Sequence, residues 1–182
     1  MENQTFELPK TTIEVLQAVN RLQAVDATGL TGEVTPESFQ QICAMVSSVF
    51  NAPVAQITLL EEYRQCIKTS IGFDIKEAPT ETSFCAYTIS SGKDITIIND
   101  TKLDDIFKLS PFVVEPPYVR FYAGCPVAFE GEKVGTLCVY DFEPRSEVSN
   151  EQQSFMRKLA LDAQAAIYGE HESSSTKSFS YM

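Results

Sequence analysis

The stretch VRFYAGCPVAFEGEKVGTLCVYD, residues 119–141, decides the fold. Val119, Phe121, Ala123, Cys125, Val127 and Phe129 fall on alternate positions, the period of a strand with one face buried. Glu130-Gly131-Glu132 predicts a tight connection. Beyond it Gly135, Leu137 and Val139 alternate against Val134, Thr136, Cys138 and Tyr140. Two strands joined so closely make an antiparallel hairpin. Pro126 has no N–H to give to a ladder and is expected at a bulge or an unpaired edge. Both faces of this hairpin carry aromatic residues, so alternation alone does not choose which face meets which layer.

A second hairpin lies upstream. Ala55, Ile57 and Leu59 alternate with Gln56 and Thr58 in a half-buried strand, Glu61 to Arg64 turn the chain, and Gln65 to Ile71 return with Ile67, Thr69 and Ile71 on one side. Between the hairpins, Thr82 or Ser83 can cap a short helix over 84–90 that Gly92 ends, and 95–98 reads as a brief apolar strand. Thr101 to Asp104 repeats the capping pattern. The region 107–118 holds Pro111, Pro116 and Pro117 and is expected to be irregular.

Helices frame these strands. Thr35-Pro36 starts one in which Phe39, Ile42, Cys43, Val46, Val49 and Phe50 recur at helical spacing. Ser149 to Gln152 is a capping box for another, bearing Phe155, Met156, Leu159, Ala160, Ala163, Ala166 and Ile167, with Gly169 as its expected cap. Near the start, Thr11 and Glu14 form a capping box before Val15, Ala18, Leu22 and Val25, whose spacing is that of a coiled-coil seam. Two heptads are too few for an independent coiled coil. Two readings stay open: a helix packed on its own domain, or one that pairs with its copy. No βαβαβ repeat appears, so the fold class is α+β, with antiparallel hairpins at both ends of the sheet. The expected organisation is a polar lead over 1–10, one domain over 11–169, and a flexible serine-rich tail over 170–182.

Composition narrows the function. Of 182 residues, 43% are hydrophobic and 21% charged, ordinary values for a folded chain. Acidic residues outnumber basic ones 25 to 14, and a net charge of -11 disfavours nucleic acid and anionic membranes as partners. The start lacks the pattern of a signal peptide, and no apolar run approaches the ~20 residues that cross a bilayer. Cys43, Cys66, Cys85, Cys125 and Cys138 are odd in number and irregular in spacing, fitting neither a disulfide framework nor a zinc site. A cytoplasmic location follows as an expectation.

Catalytic patterns are sparse. The one histidine, His171, sits in the polar tail, where a nucleophile–histidine system has nothing to hold it. No glycine-rich phosphate loop and no paired zinc ligands occur. Glu61-Glu62 and Asp104-Asp105 fall at turns and read as solvated residues. The expectation is a protein without catalysis and without a metal.

The candidate site is instead a set of aromatic and polar residues: Phe84, Tyr87, Phe107, Phe112, Phe121, Tyr122, Tyr140 and Asp141, with Cys85 beside Phe84. Two short helices and a proline-rich loop over a curved sheet can enclose a cavity of apolar wall and few polar groups. The cover is expected from Phe84–Tyr87 and Phe107–Phe112. The sheet face is either Phe121, Ala123 and Cys125 or Tyr122 and Tyr140. Asp141 would favour a cationic or hydroxylated ligand.

Ser83-Phe84-Cys85-Ala86-Tyr87, Ile98-Asn99-Asp100, Val119 to Pro126 and Val134 to Asp141, in this order, resemble the GAF domain. The likeness runs from about Arg21 to Ile167. It implies about six antiparallel strands, with terminal helices on one face and short helices and loops on the other. It also implies a sensory or regulatory role: binding a small molecule, contacting a signalling partner protein, or forming a homodimer through the terminal helices. No output domain is recognisable, so the chain either acts alone on partners or belongs to a longer protein. Bilin-binding members pair the attachment cysteine with histidine, whereas Ala86 follows Cys85 and Pro126 follows Cys125. No cofactor is named. The enzymes of this fold, free methionine-(R)-sulfoxide reductases, carry an attacking cysteine in the loop that here spans 109–120 and contains none. A thiol-dependent reductase of that kind and a ligand-free dimerisation module are the alternatives.

Overall fold

The computed structural model describes residues 5–179. The decisive hairpin forms as read: β5 (Phe121–Phe129) pairs antiparallel with β6 (Glu132–Asp141), Cys125 facing Leu137. Glu130 and Gly131 both take left-handed backbone, φ 51 and 81, which matches the twist of the strands they join. The upstream hairpin is β1 (Val54–Leu60) and β2 (Arg64–Ile71). The two hairpins do not lie at opposite ends of the sheet. They meet at its centre through β1 and β6, with Ile57 opposite Leu137, and the order is β3-β2-β1-β6-β5-β4. The edges are β3 (Glu77–Pro79) and β4 (Thr96–Ile98). β3 has three residues, too few for alternation to reveal it.

Two positions explain how the centre closes. Gly135 lies where β6 passes β1, and a Cβ there would run into the Thr58 carbonyl. Pro126 pairs with Thr136 on the length of β5 that extends past β4, next to a register shift at Val127 and Ala128. The expected bulge and the expected free edge coincide. On that edge the Ala128 N–H is satisfied by Gln164 Oε1 at 3.0 Å.

One face of the sheet is covered by α2 (Val19–Ala27), α3 (Ser38–Phe50) and α6 (Asn150–Phe179). Phe39, Phe50, Ile57, Phe121, Phe129, Leu137, Met156 and Leu159 fill this layer. Each such side chain contributes about 1.5–3 kcal/mol on full burial. The other face carries α1 (Lys10–Leu16), α4 (Phe84–Ser90) and α5 (Pro111–Val114) with their loops. The capping box of α6 is present: Ser149 Oγ accepts from Gln152 N at 3.1 Å, and Gln152 Oε1 accepts from Ser149 N at 3.0 Å.

The ends of the chain depart from expectation. The first helix is two, broken at Ala18, whose backbone is extended at φ -62, ψ 122. Ala18 is exposed, so Val15, Ala18, Leu22 and Val25 form no seam. Nor does Thr11 cap a helix; α1 begins at Lys10 after Pro9, and Thr12 meets Ser90 of α4, Oγ1 to Oγ 2.7 Å. The reason is Arg21. Its buried guanidinium donates to the carbonyls of Val15 at 3.0 Å, Leu16 at 2.8 Å and Leu60 at 2.7 Å. It thereby caps α1 and ties the crossing between the two faces to the end of β1. Within the polar lead, Leu8 is buried and Phe6 lies 5.9 Å from the Phe107 ring; residues 1–4 are outside the described residues.

At the other end α6 passes through Gly169 and continues to Phe179. The expected cap and loose tail give way to helix there; residues 180–182 lie outside the described residues. One helical glycine costs only about 1 kcal/mol. Packing on either side offsets it: Tyr168 lies 4.6 Å and His171 5.5 Å from the Phe129 ring, and the Tyr168 hydroxyl accepts from Glu130 N at 2.8 Å.

Candidate functional site

The site is built on the face that carries the tyrosines. Tyr122 and Tyr140 sit directly opposite on β5 and β6, ring centroids 5.2 Å apart. Gly124, two residues along the same face, has no side chain where the Tyr122 hydroxyl lies; a Cβ would occupy that space. The tyrosine can therefore lie along the strand and reach α4, Oη to Thr88 Oγ1 at 2.8 Å. Ser83 fixes the start of α4 by accepting from Ala86 N at 3.1 Å, which aims Phe84 and Cys85 at the sheet. Phe84 stacks on Phe107 at 4.2 Å and on Tyr122 at 5.1 Å, and Tyr87 meets the edge of Phe107 at 5.6 Å. Phe112, on α5, packs partly buried against this cluster.

Phe84, Cys85, Tyr87, Phe107, Phe112, Tyr122 and Tyr140 are thus brought together. Phe121 and Asp141 are not. Phe121 faces the opposite layer, as its position beside Tyr122 requires, and the Arg145 guanidinium lies 4.6 Å above its ring. Asp141 stands at the end of β6 and pairs with Arg145 at 2.7 Å, while accepting from Phe142 N at 2.7 Å. Its charge is engaged there, so the cationic ligand expected from Asp141 loses its counter-charge.

A knot of thiols and hydroxyls sits under the aromatic layer. Cys85 Sγ is 3.6 Å from Cys138 Sγ, 3.6 Å from Tyr140 Oη and 3.7 Å from Tyr122 Oη. Burial pushes the Cys85 thiol up, but hydrogen bonds from Cys138, Thr136, Tyr140 and Tyr122 draw it below its ordinary range. Burial, and the neighbouring Cys85, push Cys138, Tyr122 and Tyr140 well above theirs. None of the groups acting on Cys85 is a cation. Cys43 and Cys125, in the other layer, are pushed up to about 12 by burial. Among the described residues no cluster of three or more histidine, cysteine or carboxylate side chains could hold a metal ion.

The aromatic side chains fill most of the space between sheet and cover. What remains is a cavity of about 30 Å³ beside Phe84, Phe112, Val119 and Tyr140, floored by Gln56, Gln65 and Ser83. That is room for about two water molecules, whereas established small-molecule sites run to about 300–1,000 Å³. Gln56 and Gln65 are not among the candidate site residues read from the sequence, and Ser83 is read there only as a cap and as part of the motif before Phe84. Gln56 reads as the solvent side of a half-buried strand, yet β1 lies at the centre of the sheet, between β2 and β6, and both its faces are covered. The signal that could have found it is that centrality: a polar residue in a strand with neighbours on both edges needs partners.

Comparison with known proteins agrees with this architecture. The GAF domain family matches residues 35–167, and the chain belongs to that family. It is 39% identical over 150 residues to cyclic di-GMP phosphodiesterase PA2567 of Pseudomonas aeruginosa, a match that covers 82% of this chain. The chain spans only about a quarter, 25%, of that relative. Among solved structures, the GAF domain of an Acinetobacter phosphoenolpyruvate-protein phosphotransferase superposes with a TM-score of 0.63 at 17% identity, covering 91% of this chain and 97% of that one. The free methionine-R-sulfoxide reductase of Neisseria meningitidis superposes at 0.62 with 13% identity, covering 95% and 99%. At such identities these two structures speak for the fold.

Proposed function

We propose that this chain is a non-catalytic sensory GAF domain of the cytoplasm that regulates cyclic di-GMP turnover. It would pass the state of its aromatic pocket, through terminal helices paired in a homodimer, to an output unit or a partner protein. The observation that carries this reading is the extent of one likeness: it takes in 82% of this chain but 25% of a protein named for cyclic di-GMP hydrolysis. A shared part of that size fits a regulatory module better than a whole hydrolase. The site agrees, since its rings pack on one another and its hydroxyls and thiols bond among themselves.

A ligand-free dimerisation module is favoured by one feature, the filling of the pocket face by its own side chains. The reductase reading has less support: Cys85 and Cys138 are both 0% exposed, and no cation activates either.

The test is a segment exchange. Deleting the matched segment from the Pseudomonas protein should change its rate of cyclic di-GMP hydrolysis, and inserting this chain in its place should restore it. The purified chain alone should neither hydrolyse cyclic di-GMP nor consume thiol with free methionine sulfoxide. An unchanged rate after deletion, or turnover of either compound by the chain itself, would refute the proposal.

A further inference from the structure

Beneath the aromatic layer lies a pair of thiols that the regulatory reading does not use. Cys85 Sγ on α4 and Cys138 Sγ on β6 are 3.6 Å apart, already in contact. A disulfide bond is about 2.05 Å long, so the two sulfurs need approach by only about 1.5 Å to form one. The two thiols are not equivalent. Tyr140 Oη stands 3.6 Å and Tyr122 Oη 3.7 Å from Cys85 Sγ. Hydroxyl donors of this kind stabilise a thiolate without any cation, and they hold Cys85 below its ordinary range while Cys138 lies well above. One sulfur is set to attack, and the other keeps its proton until it is needed. The remaining cysteines have no such setting: burial pushes Cys43 and Cys125 up to about 12, and burial with the Glu61 carboxylate pushes Cys66 up to about 11.

The surroundings decide which oxidant suits the pair. Both thiols are 0% exposed. The cavity next to Tyr140 has no charged side chain in its lining and room for about two water molecules. An oxidant reaching this layer must therefore be small and uncharged. A sulfoxide, a peptide disulfide or a hydroperoxide with a bulky substituent is too large. Hydrogen peroxide meets both conditions, and the local openings of a native state that let water exchange with the interior suffice to admit it. We propose that Cys85 and Cys138 form an oxidation site for hydrogen peroxide, at which the pair closes to a disulfide joining α4 to β6.

The reaction runs in two steps. The Cys85 sulfur attacks one oxygen of the peroxide; an S–O bond forms, the O–O bond breaks, and the departing hydroxide leaves as water with the thiol proton. The Cys138 sulfur then attacks the sulfur of the Cys85 sulfenic acid; the S–S bond forms, the S–O bond breaks, and hydroxide leaves as a second water with the Cys138 proton. Two thiols give up two electrons and the peroxide takes them. A small dithiol such as dithiothreitol reverses the change and becomes a disulfide itself. The new bond pins α4, and with it Phe84 and Tyr87, to a central strand of the sheet. This chemistry is independent of any part the chain has in cyclic di-GMP turnover.

The test uses the full, folded chain carrying Cys66→Ser, which removes the one cysteine of the five that is not buried. Hydrogen peroxide in modest excess should lower the intact mass by two hydrogens, and digestion should yield one linked pair of peptides, holding Cys85 and Cys138. Dithiothreitol should restore the mass. Cumene hydroperoxide, being bulky, should react slower by about tenfold or more. Cys85→Ser should slow thiol loss by at least about tenfold, and Cys138→Ser should instead add one oxygen at Cys85. If Cys85→Ser fails to fold, Cys85→Ala takes its place. An unchanged mass, a link between other cysteines, equal rates with the two hydroperoxides, or undiminished thiol loss in the folded Cys85 variant overturns the proposal. None of these results bears on the segment exchange, so the oxidation site and the regulatory role fail separately.

Discussion

Arg21→Met removes the guanidinium that holds the two halves of the N-terminal segment together, and its cost follows from the bonds it makes. The side chain is 1% exposed and donates to Leu60 at 2.7 Å, Leu16 at 2.8 Å, Val15 at 3.0 Å and Glu61 at 3.4 Å. The Leu16 and Leu60 carbonyls are bonded in buried surroundings, where water cannot replace the lost donor. Each then costs about 1–3 kcal/mol. The bonds to Val15 and Glu61 are partly open to water and add little. An opposing gain exists, because burial lowers the Arg21 pKa to about 10, and methionine no longer carries that desolvated charge. The net loss is about 2–4 kcal/mol, a large share of the 5–15 kcal/mol typical of a domain. For a chain of this size Tm should fall by roughly 5–15 °C. Urea unfolding gives the free energy, and hydrogen exchange says where it acts: amides of α1 should lose protection while those of α3 and α6 keep theirs. Arg21→Lys should recover only part, since one ammonium cannot span carbonyls on α1 and β1 together. A loss under about 0.5 kcal/mol, the level of an ordinary surface change, or unaltered exchange in α1, would refute this account of the crossing.

Two further predictions concern the sheet and the acid limit. Gly135→Ala should destabilise by about 2–4 kcal/mol, because its methyl meets the Thr58 backbone and β1 must move away from β6; denaturant unfolding checks this, and a neutral substitution would mean that the strands separate freely. Asp100 accepts from Arg120 Nη2 at 2.8 Å, and these bonds hold its carboxyl below the ordinary value. The folded state thus binds fewer protons than the unfolded one through this interval. The stabilisation is complete above the unfolded value of about 3.9 and is lost as pH falls through the lower folded value. Asp100→Asn should lower stability at neutral pH and flatten the acid limb of the curve; an acid limb as steep as that of the parent protein would remove Asp100 from the account.

The sequence carried the local content of the fold more fully than its long-range order. Alternation over 119–141 and 54–71 marked both hairpins, and Ser149 and Gln152 marked the start of α6, because each signal is written within a few residues. The pairing of β1 with β6 joins residues about eighty apart, and no local pattern encodes it. The break at Ala18 was hidden for a related reason. Val15, Ala18, Leu22 and Val25 satisfy a helical period, but the acceptors that bend the chain there include Leu60, far along the sequence. A tertiary hydrogen bond overrode a local one.

The site shows the same division more sharply. Strand parity guaranteed that Phe121 and Tyr122 would point to opposite layers, so only one of them could belong to the pocket. Which one depended on where the helices lie, and the deciding fact is chemical. The α3 and α6 layer offers almost pure hydrocarbon to the sheet, which suits phenylalanine. The α4 side offers Thr88, Cys85 and the other tyrosine, and so can satisfy a buried phenol. Tyr122 therefore belongs beside α4 for the same reason that Phe121 does not. Applied to β1, that argument reaches the cavity: a glutamine at 56 is tolerable on a doubly buried strand only on the face where polar partners exist. Ser70 supplies one of them.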